Sequence, residues 1–351
     1  MRAEVCFDRQ TDEKSFNYGL ALLRMLMCFE VVLCHCWSTD IPMYLQPFSM
    51  LRGYAVPVFM FMSFFLTQKS FMKRDKDYAF NRIWKLLLPQ IVWSVVYFVI
   101  YWLVGTIIHY NLVNGISDLF WQLFTGHSPR LNPTMWFQTD LIVISVLFFI
   151  IFFFCKETVG ISIIVLMSIV CLILQYSGLN YLLFGSMRYE LSYPLGRLSE
   201  TIPMATVGFL ASRFNLLKPI KDKYIGNLII SVILTALFGI LDKKVLVVSG
   251  NFSYAGIWKI GVALCLTMFA FNLNFKRINK KILRGINFIT KYTLGIYCAH
   301  RLINSFLINA MSILFEISGG QFYQCVLIYI IGLSACCIVS RLPFKWIKSV
   351  V

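Results

Sequence analysis

The chain has 351 residues, of which 59% are hydrophobic, 16% aromatic and 14% charged, with a formal net charge of +16 and a mean hydropathy of +0.73. Soluble domains carry about 25% charged residues, so this composition excludes a soluble enzyme or a nucleic-acid-binding domain and leaves an integral membrane protein. The basic excess then reads as topology-setting charge, because Lys and Arg collect on the cytoplasmic loops of such chains.

The leader, residues 1–17, is polar and holds Asp8, Asp12 and Glu13, which does not fit a cleavable signal. The first apolar stretch, Gly19 to Trp37, has the length of a membrane-crossing helix yet carries Arg24, Glu30 and His35. An ionisable side chain in hydrocarbon costs roughly 2.5 to 3.5 kcal/mol, so these groups must face protein or a wet cavity. Arg24 and His35 lie eleven positions apart. That is close to three helical turns, so both project from nearly the same face about 16 Å apart along the axis.

A second span, Gly53 to Thr67, leads into QKSFMKRDKDYAFNRIWK, whose cations Lys69, Lys73, Arg74, Lys76, Arg82 and Lys85 mark a cytoplasmic segment. The third span is Leu86 to Ile108. Ile116 to Thr125 is too short to cross and reads as an outer interfacial segment, followed by an outer loop at His127 to Thr134. The fourth span, Met135 to Cys155, and the fifth, Val159 to Tyr176, are joined by a tight turn at Lys156 and Glu157. Ser177 to Glu200 then reads as the longest external connection. Further spans are expected at Thr201 to Ala211, Ile225 to Leu241, Ala255 to Leu273, Tyr292 to Phe315 and Phe322 to Ser340, with a basic inner loop over NFKRINKKILRGIN. The expected fold is an all-α, polytopic membrane helix bundle of about ten transmembrane helices with both termini cytoplasmic. It comprises a leader at 1–17, a membrane domain at 18–341 and a basic tail at 342–351.

Eleven cysteines are present, most of them inside apolar runs, and no CxxC pair or Cys/His cluster is found. Neither a structural disulfide nor a metal is expected. His35, near the outer end of the first span, suits a general base at a membrane boundary, or else a histidine packed between helices. Arg24 can hold an anionic substrate, or pair with Glu30 or Asp140. Glu30 and Arg301 fall at similar depth, which makes them a further candidate ion pair.

The Arg24 to His35 spacing resembles the first-span signature of the acyltransferase 3 family of integral membrane acyltransferases. The likeness continues through VPVFMFMSFFL (Val56 to Leu66), RIWKLLLPQIVWSVVY, MWFQTDLIVIS and YTLGIYCAH. The resemblance implies that His35 is the catalytic base, that Arg24 is its paired basic residue, and that Arg82 and Lys85 meet an acyl-CoA donor. Lys85 stands where the family has a second arginine, and a lysine cannot make arginine's two-pronged phosphate contact. Phe64 stands where many members have a glycine.

The implied activity is O-acetyl transfer, in the cell inner membrane, from cytoplasmic acetyl-CoA to a sugar hydroxyl of a surface polysaccharide or its lipid-linked precursor. Tyr54, Ser63, Trp136 and Gln138 are expected to line the site. A polysaccharide exporter or flippase, whose intramembrane charges line a sugar path, is the alternative from another class.

Overall fold

The computed structural model describes residues 16–36, 53–128, 130–177, 189–217, 224–249, 256–275, 277–315, 322–343 and 350–351. The leader before residue 16, the end of the first stretch at Trp37 with the loop to Leu51, and most of the basic tail lie outside the described residues.

The described elements are all helical. They are α1 (Tyr18–Cys36), α2 (Ala55–Met72), α3 (Lys76–Ile107), α4 (Ile116–Thr125), a 3-10 turn at Pro133–Met135 leading into α5 (Trp136–Phe154), α6 (Glu157–Tyr176) and α7 (Tyr189–Arg213). The remainder are α8 (Tyr224–Ser249), α9 (Ile257–Asn272), α10 (Lys280–Lys291), α11 (Thr293–Phe315) and α12 (Phe322–Val339). A helix satisfies its own backbone N–H and C=O groups, which hydrocarbon requires of any single crossing segment. Seven of the described helices, α1, α2, α3, α5 with its leading turn, α6, α8 and α12, are long and apolar enough to cross a bilayer. The other three expected spans fall on α9, an apolar helix of 16 residues, and on the polar-studded α7 and α11.

Three stretches read as connections are instead helical. The segment Ser177 to Glu200 is not wholly a loop, because α7 begins at Tyr189. At the end of this segment polar side chains turn into the protein. Ser199, Glu200 and Thr201 are buried, Thr201 Oγ1 donates to Asp140 Oδ2 at 2.8 Å, and Arg197 pairs with Glu200 at 2.7 Å. The basic stretch after α2 narrows to Lys73–Asp75. There the Asp75 side chain accepts the Tyr78 amide at 3.0 Å and starts α3. The 32 residues of α3 make it the longest helix described. The second basic stretch contains α10, which is capped by Asn279 and buries Ile286 and Thr290 while its cations stay outside.

At the centre sits α2, packed against α1, α5, α7 and α9. A Cβ on Gly208 of α7 would collide with the Phe61 carbonyl of α2, so only glycine allows this approach. Phe64 fills the space between α2 and α5. It is fully buried, with its ring 4.9 Å from that of Phe148 and 5.6 Å from that of Phe71. The close contact of α2 is therefore made by a glycine on its neighbour and not by one of its own.

Candidate active site

Two cavities lie against α1, one near each end of the helix. The larger, about 260 Å³, is lined by Arg24 of α1, Met62 and Ser63 of α2, Arg82 of α3, Gln138 of α5 and Leu294 of α11, among others. Arg24 sits among packed helices, yet its side chain is open to this cavity. It forms no ion pair among the described residues. Asp140, one partner considered for it, is taken by the Thr201 hydroxyl.

The Arg82 side chain turns inward. Its Nη2 donates to Ser63 Oγ at 2.9 Å and its Nε to Ser145 Oγ at 3.3 Å. Its guanidinium lies 5.7 Å from the ring centroids of Phe64 and of Phe71. The packing of Phe64 thus also supports this cation, through the attraction between a guanidinium and an aromatic face. Gln138 Nε2 donates to the Leu86 carbonyl at 2.6 Å, which holds this side chain at the α3–α5 contact.

The smaller pocket, about 20 Å³, is lined by Glu30, Cys34, His35, Thr134, Trp136 and five further residues together with Phe137, and Phe137 and Tyr297 are walls of both cavities. Their rings meet edge to face with centroids 6.1 Å apart. The Tyr297 hydroxyl donates to the Thr134 carbonyl. His35 thus faces a small pocket, and one layer of aromatic rings divides it from the guanidinium cavity.

Beside it the His300 ring lies 5.4 Å from the His35 ring. His300 Nδ1 is 2.5 Å from the Tyr297 carbonyl, and a carbonyl only accepts, so that nitrogen carries the proton. Arg301 Nη1 donates to the His35 carbonyl at 3.4 Å. The backbone of the histidine is in this way tied to α11.

Glu30 does not pair with Arg301. Its carboxylate accepts the Gly53 amide, the Ala55 amide at 3.2 Å and the Cys34 thiol at 3.0 Å. It serves as the acidic cap of α2, placed where the helix dipole favours negative charge.

Of the eight residues singled out from sequence, Arg24, Ser63, Arg82 and Gln138 meet in one cavity, and His35 and Trp136 in the other. Two do not join them. Lys85 is exposed and is not among the lining side chains. Tyr54 is buried at the head of α2, where its hydroxyl donates to Asp242 Oδ2 at 3.1 Å and its ring lies beneath Lys243. Asp242 also pairs with Lys259 at 3.8 Å, so this phenol belongs to a polar contact among α2, α8 and α9. Phe137 and Tyr297 were missed as site residues. Both fall inside segments that carry the family likeness, but nothing local separates them from the chain's 32 Phe and 17 Tyr.

A family model described as an acyltransferase domain matches residues 17–341. No curated protein and no solved structure matches the chain.

Proposed function

Because the chain belongs to the acyltransferase 3 family and is built of helices fit to cross a membrane, we propose that it is an O-acetyltransferase of the cell inner membrane. It moves an acetyl group from acetyl-CoA to a sugar hydroxyl on a surface polysaccharide or its lipid-linked precursor. The observation that carries this reading is the placement of Arg24 and Arg82 on one cavity whose aromatic wall is shared with the His35 pocket.

Coenzyme A is a polyanion, and guanidinium groups bind phosphate oxygens through paired N–H donors. Arg82 is held by two neutral hydroxyls, and Arg24 has no carboxylate partner among the described residues. An arriving anion therefore breaks no internal ion pair. Phe59, Met62, Leu66, Leu86 and Leu141 give the cavity an apolar flank along which the uncharged arm of the donor can lie.

At the far end His35 takes the proton of the acceptor hydroxyl as the hydroxyl oxygen attacks the thioester carbonyl carbon. The tetrahedral intermediate collapses, the carbon–sulfur bond breaks, and the leaving thiolate takes the proton back from the imidazolium. Holding base, acceptor and thioester together is the larger part of such catalysis.

The experiment is incubation of membranes bearing the protein with radiolabelled acetyl-CoA, following both label in the glycan fraction and thiol release. A chain that yields neither is not the proposed enzyme. In the same assay Arg82→Ala and Arg24→Ala are expected to raise the KM for acetyl-CoA about 10- to 100-fold, the size of one lost charge-assisted hydrogen bond. A KM that stays at the parent value in both variants removes the guanidiniums from donor binding.

A further inference from the structure

We infer that Phe137 and Tyr297 form an acyl-size filter, which restricts the donor to short, uncharged acyl groups. The inference rests on the acyl-CoA reading above and names the residues that decide which acyl group is transferred.

Three observations combine. The first is room. The pocket at His35 measures about 20 Å³ against about 260 Å³ for the guanidinium cavity. A cavity of roughly 10 to 15 Å³ on this measure holds one water. The His35 pocket therefore accepts one group of about methyl size beyond the wall, which suits the end of an acetyl group and not a four-carbon chain.

The second is the stiffness of the wall. Phe137 is buried and meets three other rings, those of Tyr297 at 6.1 Å, Phe59 at 6.2 Å and Trp136 at 6.2 Å. Tyr297 is fixed at its hydroxyl by Thr134 and at its carbonyl by His300. Neither ring can swing aside without breaking several contacts, so the spacing of the two rings is kept.

The third is charge. Among the described residues, the lining of the small pocket includes the Glu30 carboxylate and neither arginine nor lysine. The free carboxylate of a succinyl or malonyl group would meet the Glu30 carboxyl group there, in a space too small to keep its water.

The test compares acetyl-, propionyl-, butyryl- and succinyl-CoA as donors to the purified protein, with octyl glucoside as the sugar-bearing acceptor and thiol release as the readout. The parent is expected to favour acetyl over butyryl by at least about tenfold, since one methylene too many in a fitted pocket is worth about 10- to 200-fold. It is also expected to leave succinyl-CoA untouched. Phe137→Ala should raise the butyryl-to-acetyl ratio at least about tenfold. Phe137→Leu, which keeps the site apolar and filled, should raise it by less and serves as the readout where the alanine variant does not fold. Phe137→Trp should lower the propionyl-to-acetyl ratio.

A ratio unchanged in a Phe137 variant that still transfers acetyl overturns the filter and leaves the acyl-transfer reading standing. A parent that uses butyryl- or succinyl-CoA as readily as acetyl-CoA does the same. A parent that releases thiol from none of the four donors overturns the acyl-CoA reading and the filter together.

Discussion

His35→Ala is expected to lower kcat/KM for acetyl transfer by about 10²- to 10⁴-fold, the usual contribution of a positioned general base. The ring is held for that task from two sides. Its backbone carbonyl is bonded by Arg301, and the His300 ring lies beside it. Loss of the imidazole leaves the guanidinium cavity and the Phe137–Tyr297 wall in place, so acetyl-CoA binding should stay within about threefold of the parent, a shift below 1 kcal/mol. Titration of labelled acetyl-CoA into the purified variant, run beside the transfer assay, separates the two effects. Undiminished transfer in His35→Ala would remove the imidazole from the mechanism. A parallel loss of donor binding would instead assign it to donor recognition.

The second large effect is on stability. Glu30→Ala should destabilise the protein by about 2 to 5 kcal/mol, because the Gly53 and Ala55 amides lose their acceptor and each buried unpaired donor costs about 1 to 3 kcal/mol. Glu30→Gln keeps one carbonyl oxygen and should lose about half as much. Thermal unfolding of the detergent-solubilised variants measures this.

Glu30 also lines the His35 pocket, so a chemical role is the competing account. The two differ in Glu30→Gln, where a cap predicts lower stability with kcat per folded molecule within a few-fold of the parent. A collapse of kcat at full stability would make this carboxylate part of the proton path.

The Arg24 to His35 spacing was the most legible part of the site, because helix geometry alone fixes their shared face and their separation. Their destination was also inferable, since hydrocarbon tolerates neither charge and a cavity had to exist. The direction of Arg82 was not legible. A cation in a basic stretch looks alike whether it turns to water, as Lys85 does, or inward onto Ser63 and Ser145, as Arg82 does.

The Glu30 pairing failed for a related reason. Matching charges by depth finds side-chain partners, whereas the partners here are backbone amides at the head of α2, which no side-chain pattern advertises. In α7 hydropathy misled because a helix that buries Ser199, Glu200 and Thr201 among other helices scores like a loop. Tyr54, adjacent in sequence to two residues of the His35 pocket, lies on the other side of its backbone, and that difference depends on how α8 and α9 pack.

The length of α3 has one more consequence. Thirty-two residues rise about 48 Å, while the hydrocarbon layer is about 30 Å thick, so the helix must extend past the lipid tails. Arg82 is its seventh residue, about 9 Å from the start, and so stands at the level of the headgroups if the excess length lies at this end of the helix. On the acyl-CoA reading proposed above, a donor anchored there would keep its nucleotide hydrated through a whole turnover, and only the uncharged tether would exchange water for protein.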